Sequence, residues 1–411
     1  AAAGKISLGA MDTTPDESLL YVMNLKSKEL VEIPIDRSGA APAAGSIKKY
    51  TVPNNCAVSA DAYPFAVSAQ ATGLKAVGDV YVGVTCTALS TQKASDLRAT
   101  VYRFHPDTHT FDAEPVITFP INWVRETANK PRPWSDVWDG SFSKYQPWLT
   151  DIVWDHTGKN MVLALRDRYG DQTGMYSGNP NIFLKDGTKD KQQFFTTAEG
   201  DLVKACPNPQ TGVLTLEAFG FCGGVEGTGS VHGEFYNDNM FHANSEGGGL
   251  EQVPGLTKVF STALTPFRVS SGGIMANDNA TGDIVQRIEL KVGKYPPPFA
   301  EPSPAFGKAN ALGDIESLCE EAPSEIGNRV WIDEDKDGLQ DPSEGALEGV
   351  TLRLYDGSTL VGSTVTNASG QYFFYDGNVT GGLKPETAYT IKADRLEDQT
   401  GVLAPYSVTV P

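Results

Sequence analysis

Residues Asp333 to Glu344, DEDKDGLQDPSE, carry the most specific chemistry in the chain. Counted from Asp333, carboxylates stand at loop positions 1, 3 and 5 as Asp333, Asp335 and Asp337. Gly338 follows at position 6, Leu339 offers its carbonyl at 7, Asp341 stands at 9 and Glu344 at 12. Hard oxygen donors in this order suit Ca²⁺: the glycine permits a sharp turn and the closing glutamate can bind through both oxygens. Zinc would call for thiolate or imidazole, and Mg²⁺ for a stricter octahedron. A merely acidic surface turn accounts for neither Gly338 nor Glu344.

The flanks decide what such an ion would do. Upstream, IGNRVWID alternates Ile326, Asn328, Val330 and Ile332 against Gly327, Arg329 and Trp331, a strand pattern. Downstream, Gly345 and Gly349 interrupt any helix, and VTLRLY puts Val350, Leu352 and Leu354 on one face. A sensor loop works by changing the angle between two helices. Neither helix is expected here, so the ion is expected to join two β-segments, with binding coupled to folding of the module.

Other chemistry is thinner. His105 and His109 of HPDTH are spaced for one face of a helix, but Pro106 and the flanking strands predict a hairpin turn. His232, Glu234, Asp238, His242 and Glu246 crowd one segment without the HExxH order of a zinc hydrolase. Trp123, Trp134, Trp138 and Trp148 could stack on sugars, meet a neighbouring subunit, or staple a long insertion to its own domain; the last is the plainer reading. No catalytic triad or carboxylate pair is recognisable by spacing. Cys56–Cys86 and Cys206–Cys222 could be bridges in an exported protein, leaving Cys319 odd, and five buried thiols are the alternative.

The elements that position these residues read as strands. ESLLYVMNLKSKELVEIPI, DVYVGVTCTAL, TDIVWDHTGKNMVLALRDR and NDNATGDIVQRIELKV are short β-runs separated by Gly, Asn, Pro and Asp turns. An all-β fold follows. MDTTPDESLLYV, VWDHTGKNMVLAL and the Asp-Ile pairs at 151, 283 and 314 echo one another, which predicts a β-propeller-like domain over residues 1–320. Five, six or seven blades are all open, and a β-sandwich competes. Five prolines between 296 and 304 disfavour ladder and helix alike. ALGDIESL is expected to be a last strand, residues 321–325 a linker, and 326–411 a second β-domain.

The formal charge of −18 excludes a nucleic-acid partner, because no basic face is available to meet phosphate. No apolar run is long enough for a direct membrane span. The N-terminus, AAAGKISLGAMD, starts as though a leader or longer segment preceded it.

IGNRVWIDEDKDGLQDPSEGALEGVTLRLYD, followed by TVTNASGQYFFYDG, resembles the SdrD B-like repeat of bacterial surface proteins. Matching positions include Ile326, Gly327, Asn328, Val330, Trp331, Gly338, Gln340, Asp341, Glu344, Gly349, Val350, Gly370, Tyr372 and Phe374. Pro342-Ser343 stands where that family often has glycine. The resemblance implies a calcium-stiffened, immunoglobulin-like β-sandwich over about 326–411. More loosely, GGGLEQVPGLTKVFSTALTPF and FGKANALGDIESLCEEAPSEIGNRVW resemble the segment before such repeats in large exported proteins of filamentous and gliding bacteria, a resemblance that brings no activity with it.

The reading is a non-enzymatic bacterial cell-surface or extracellular structural protein. Its expected work is adhesion, or assembly into a surface layer, sheath or filament. The expected partners are other copies of itself or neighbouring surface proteins, with glycans as a further class. The alternative is a secreted β-propeller hydrolase or lyase acting on glycans, with the sandwich as spacer.

Overall fold

The computed structural model describes residues 3–38, 41–72, 75–123, 130–137, 144–173, 198–217, 222, 235–237, 246–253, 256–267, 271–291, 311–317, 325–341, 343–375, 378–380, 383, 387–393 and 402–407. The chain forms two compact units, Ala1–Ser317 and Leu318–Pro411. Both are built of antiparallel sheet, as the alternating apolar pattern predicts. One short α-helix, α1 (Arg168–Thr173), and two single-turn 3₁₀ helices, Ser59–Asp61 and Ala94–Asp96, are described.

Among the described residues of the first unit, four sheets follow one another along the chain. The first holds β1 (Leu8–Thr13), β2 (Leu19–Asn24), β3 (Glu29–Asp36), β4 (Ala43–Ala44) and β5 (Lys48–Thr51). The second holds β6 (Ala62–Thr72), β7 (Lys75–Cys86), β8 (Arg98–His105), β9 (Thr110–Phe111) and β10 (Ile117–Pro120). The third is the meander β11 (Pro147–Trp154), β12 (Met161–Asp167), β13 (Asp201–Pro207) and β14 (Leu214–Leu216). The fourth is β15 (Glu246–Glu251), β16 (Lys258–Leu264), β17 (Gly272–Asp278) and β18 (Ile284–Lys291). Their first strands lie side by side, β1 against β6, β6 against β11 and β11 against β15. β11 and β15 are buried on both faces almost throughout, β11 with Thr150 and Asp151 among its buried residues and β15 through three consecutive glycines that let neighbouring backbone approach.

Sheet-to-sheet packing is tight. A side chain at Gly83 of β7 would come within 2.7 Å of Leu149 in β11 and 2.8 Å of Ala66 in β6. Trp134 and Trp148 are buried and meet edge to face at 5.7 Å. Trp134 Nε1 donates to the carbonyl of Pro147 at 2.9 Å. They staple their own domain, and neither is available for a sugar; Trp138 lies outside the described residues.

A turn recurs that the echoes in the sequence did not single out. Asn24–Lys28, Asn208–Gly212 and Asp278–Gly282 each end with an N–H donated back to the first residue's carbonyl, at 2.8, 2.7 and 2.8 Å. In each, the first side chain accepts two further backbone N–H groups, and the last residue has positive φ (58°, 69° and 77°). The turn from β8 to β9 also ends in a left-handed residue, His109, φ 56°. An Asn or Asp that mimics a backbone turn, followed by a left-handed residue, explains the composition of the first three loops. The Asp-Ile pairs do not mark equivalent strands. Asp151 lies in β11, Asp283 precedes the last strand of the fourth sheet, and residues 311–317, expected as a strand, enter no ladder.

Cys56 and Cys86 are bridged, as are Cys206 and Cys222. Cys319 lies outside the described residues.

The second unit pairs β19 (Ile326–Arg329) with β22 (Gln371–Phe374), and orders β20 (Thr351–Asp356) between β21 (Thr359–Val365) and β23 (Tyr389–Ala393). Val350, Leu352, Leu354, Phe374, Val379, Leu383 and Leu403 form its core, the face that the VTLRLY alternation marks.

Candidate metal-binding loop and the buried carboxylates

The loop 333–344 hangs between two short β-segments. Ile332 donates its N–H to the carbonyl of Gly345 at 2.8 Å, Trp331 bridges Ala346, and Leu347 donates to Val330 at 3.0 Å. Strands frame the loop, and no helix does. Lys336 and Gly338 take positive φ, 65° and 78°, which curls the chain. Asp333 accepts the N–H groups of Lys336 (2.7 Å) and Gly338 (3.0 Å). Asp335 accepts that of Asp337 (3.2 Å), and Asp337 that of Leu339 (2.7 Å).

This folding brings one oxygen of each of Asp333, Asp335 and Asp337 within 4.8 Å of the other two. Oxygens bound to one Ca²⁺ at about 2.4 Å can lie no more than about 4.8 Å apart, so the triad fits that ion. Its electrostatics agree. The N–H of Asp337 favours ionised Asp335, but desolvation and the charges of Asp337, Asp341 and Asp333 outweigh it and push the carboxyl up. A divalent cation would relieve that repulsion.

Glu344 is placed differently from an open bidentate ligand. It is buried, with Oε1 accepting the N–H of Glu334 and Oε2 that of Asp341, both at 2.9 Å. It ties the start of the loop to its end. Each oxygen keeps a further lone pair for an ion. Leu339 and Asp341 are exposed, and Asp341 stands outside the triad.

The other candidate groups separate. His105 lies between Asp79 (Nδ1 to Oδ1, 2.9 Å) and Asp112 (Nε2 to Oδ1, 2.8 Å). Burial pulls this imidazole down, but the bonds to Asp112 and Asp79 outweigh it and hold it above its usual range. His109 instead stacks on Tyr50, its Nδ1 3.0 Å from the Tyr50 hydroxyl, and does not share His105's partners. Glu246 is buried, accepts the N–H of Gly248 at 2.7 Å, and is pushed up to about 7 by burial. His232, Glu234, Asp238 and His242 lie outside the described residues.

Sequence reasoning missed a set of carboxylates near the inner strands. Asp12 Oδ2 accepts the N–H of Ala69 at 2.8 Å. Asp151 accepts the N–H groups of Ile152 (2.8 Å) and Leu250 (2.6 Å). Glu251 Oε1 accepts the hydroxyl of Ser317 at 2.6 Å. Burial first, and then one another's charges, push Asp12 to about 7 and Glu316 to about 8. These residues are far apart in sequence, and spacing alone held no signal for them. Elsewhere Asp167 accepts three backbone N–H groups, yet burial pushes it to about 8.

Comparison with known proteins now bears on the loop. Residues 324–398 match the SdrD B-like domain. The likeness continues into curated proteins. Bone sialoprotein-binding protein of Staphylococcus aureus is 36% identical over 101 residues, covering 22% of this chain and 9% of that one. Colossin-A and Colossin-B of Dictyostelium discoideum are 27% and 28% identical and each cover 90% of this chain, so both units have relatives there. The chain spans only 3% and 10% of those two proteins. Among solved structures, a proposed 6-phosphogluconolactonase of Bacteroides uniformis covers 69% of this chain and 55% of its own, at 11% identity and TM-score 0.33. A likeness this low assigns neither fold nor activity.

Proposed function

We propose that this chain is part of a non-enzymatic extracellular structural protein, in which a calcium-stabilised sandwich follows a propeller-like head. The observation that carries the reading is the Asp333, Asp335 and Asp337 triad, held in a loop framed by β-segments. An ion there would join two strands of one module and would have no helix pair to swing. Asp333, Asp335 and Asp337 would hold Ca²⁺, with the Leu339 carbonyl, Asp341 and Glu344 completing the set. The ion supplies positive charge that lets the five acids of this set share one loop.

The head reading rests on four successive antiparallel sheets whose first strands adjoin. That is how propeller blades are arranged. Export agrees with the two disulfides, which persist in oxidising compartments. It also agrees with the match to a module resembling those of bacterial surface proteins. No helix among the described residues is long and apolar enough to cross a membrane. Adhesion or self-assembly into a layer, sheath or filament is the work such an architecture suits, with other copies, neighbouring surface proteins or glycans as partners.

Electron microscopy and sedimentation of the chain, with calcium and with chelator, test the reading. Calcium-dependent particles or polymers, together with a calcium-dependent rise in protease resistance over residues 326–393, are expected. An unchanged digestion pattern would remove the metal's structural role. The glycan hydrolase or lyase reading draws on the carboxylates gathered about Asp151. Those acids accept backbone N–H groups, which is structural work. Release of sugar from polysaccharide, abolished in Asp151→Asn, would favour the enzyme.

A further inference from the structure

Residues 311–317 enter no ladder, yet they lie against the inner strands of the first unit. Arg166 of β12 donates through Nη1 to the carbonyl of Leu312 at 3.2 Å, and also to that of Gly247. Side chains at the glycines of β15 would collide with the segment. A β-carbon at Gly247 would sit 2.4 Å from that of Ala311, and one at Gly249 would sit 2.6 Å from the carbonyl oxygen of Gly313. At the other end the Ser317 hydroxyl donates to Glu251 at 2.6 Å.

Between these anchors two acids meet. The β position of Gly249 lies 3.1 Å from Asp314 Oδ1, while the next residue, Leu250, donates its N–H to Asp151 Oδ2 at 2.6 Å. The two carboxyls are hydrogen-bonded to each other. Such a bond requires a proton, since two carboxylates repel. The other charged groups around the pair are Asp12 from β1, Glu251 from β15 and Glu316 from the segment itself, all acidic. Among the described residues Arg166 pairs through Nε and Nη2 with Asp171 of α1 at 2.8 Å and meets the segment at the carbonyl of Leu312.

We infer that residues 311–317 form a proton-operated latch: a proton shared by Asp151 and Asp314 holds the segment against β11 and β15, and its loss releases the segment. The inference concerns the first unit's own fold and stands independently of the calcium loop. Its direction follows from burial, which pushes Asp151 and Asp314 up, Asp12 to about 7 and Glu316 to about 8. Carboxyls raised in the folded state bind more protons there than in the released state. The latched form is therefore favoured at mildly acidic pH and loses its advantage as pH rises through these values.

Hydrogen exchange of the amides of residues 312–317, corrected for intrinsic rates and followed in the full chain at pH 6.0 and pH 8.5 in chelator, tests this. Wild type is expected to lose protection about tenfold or more between the two, the scale of one linked proton. Asp314→Asn donates from its amide to Asp151 without needing a proton, and is expected to show a smaller pH dependence than wild type, the remainder coming from Asp12 and Glu316. Asp314→Ala is expected to lose protection at both pH values. The β20 amides serve as the control for a folded chain. Equal protection of wild type at both pH values, or the wild-type pH dependence persisting in Asp314→Asn, would overturn the latch. So would its disappearance from wild type on adding millimolar calcium, which would make the cluster a cation site.

Discussion

Val330 donates its N–H to the carbonyl of Gly370 at 2.8 Å, and Gly370 leaves no room there for a side chain. This one contact ties the strand that enters the metal loop to the turn before β22. A β-carbon at Gly370 would fall 2.4 Å from the Val330 oxygen and 3.2 Å from Ala346 on the returning strand, at φ 72°. Gly370→Ala is therefore expected to destabilise the second unit by about 2–4 kcal/mol. Gly158→Ala, at φ 65° with open space around it, serves as the comparison and is expected to cost about 1–2 kcal/mol. Equal effects in denaturant melts would show that conformation alone, and not the close approach, sets the penalty.

The metal loop predicts a stability that follows calcium. With a dissociation constant of about 10⁻⁴ to 10⁻³ M, 10 mM calcium is expected to stabilise the second unit by about 1.4–2.7 kcal/mol through mass action. Replacing Asp335 with Asn is expected to weaken binding about tenfold or more, as read by calorimetry, because one of three converging charges is gone. Calcium melts that superimpose on chelator melts would remove the ion from the argument.

His105 predicts a pH dependence in the second sheet. Its folded-state value is raised by Asp112 and Asp79 against the pull of burial. The stability it contributes is therefore fully present below the unfolded histidine value, about 6.5, and is lost as pH rises through the higher folded one. His105→Gln is expected to flatten that part of the profile and lower the wild-type advantage at pH 6. A melting profile from pH 5 to 9 that wild type and variant share would exclude the ion pairs as a source of stability.

The two bridges predict a redox-dependent first unit. They close loops with sequence separations of 30 and 16 residues. Each is expected to contribute about 3–4 kcal/mol by restricting the unfolded chain. Cys206→Ser with Cys222→Ser should lower the thermal midpoint of the first unit and leave the second unit unchanged. A midpoint unaffected by the double substitution would show that residual unfolded-state structure cancels the gain.

Local pattern was enough wherever the physics is local. The alternation of VTLRLY marks Val350, Leu352 and Leu354, which are buried as a stripe because successive strand residues face opposite sides. HPDTH reads as a hairpin because proline and a helical metal pair are incompatible, and His105 and His109 do take separate partners. The convergence of Asp333, Asp335 and Asp337 is legible because the three acids lie in one short loop. Glu344, which sequence places as the closing ligand able to bind through both oxygens, is buried and tied to backbone at both ends of the loop, a matter of how the strands close.

Sequence by itself determined the all-β class, the strand-framed acidic loop and the candidate cysteine pairs, all set by neighbours along the chain or by residue chemistry. Tertiary structure alone decided that Asp12, Asp151, Glu251, Asp314 and Glu316 influence one another, and that residues 311–317 lie on β15 without pairing with it. The reason is physical. Burial and the meeting of like charges depend on which distant strands become adjacent, and a run of letters carries no record of that distance.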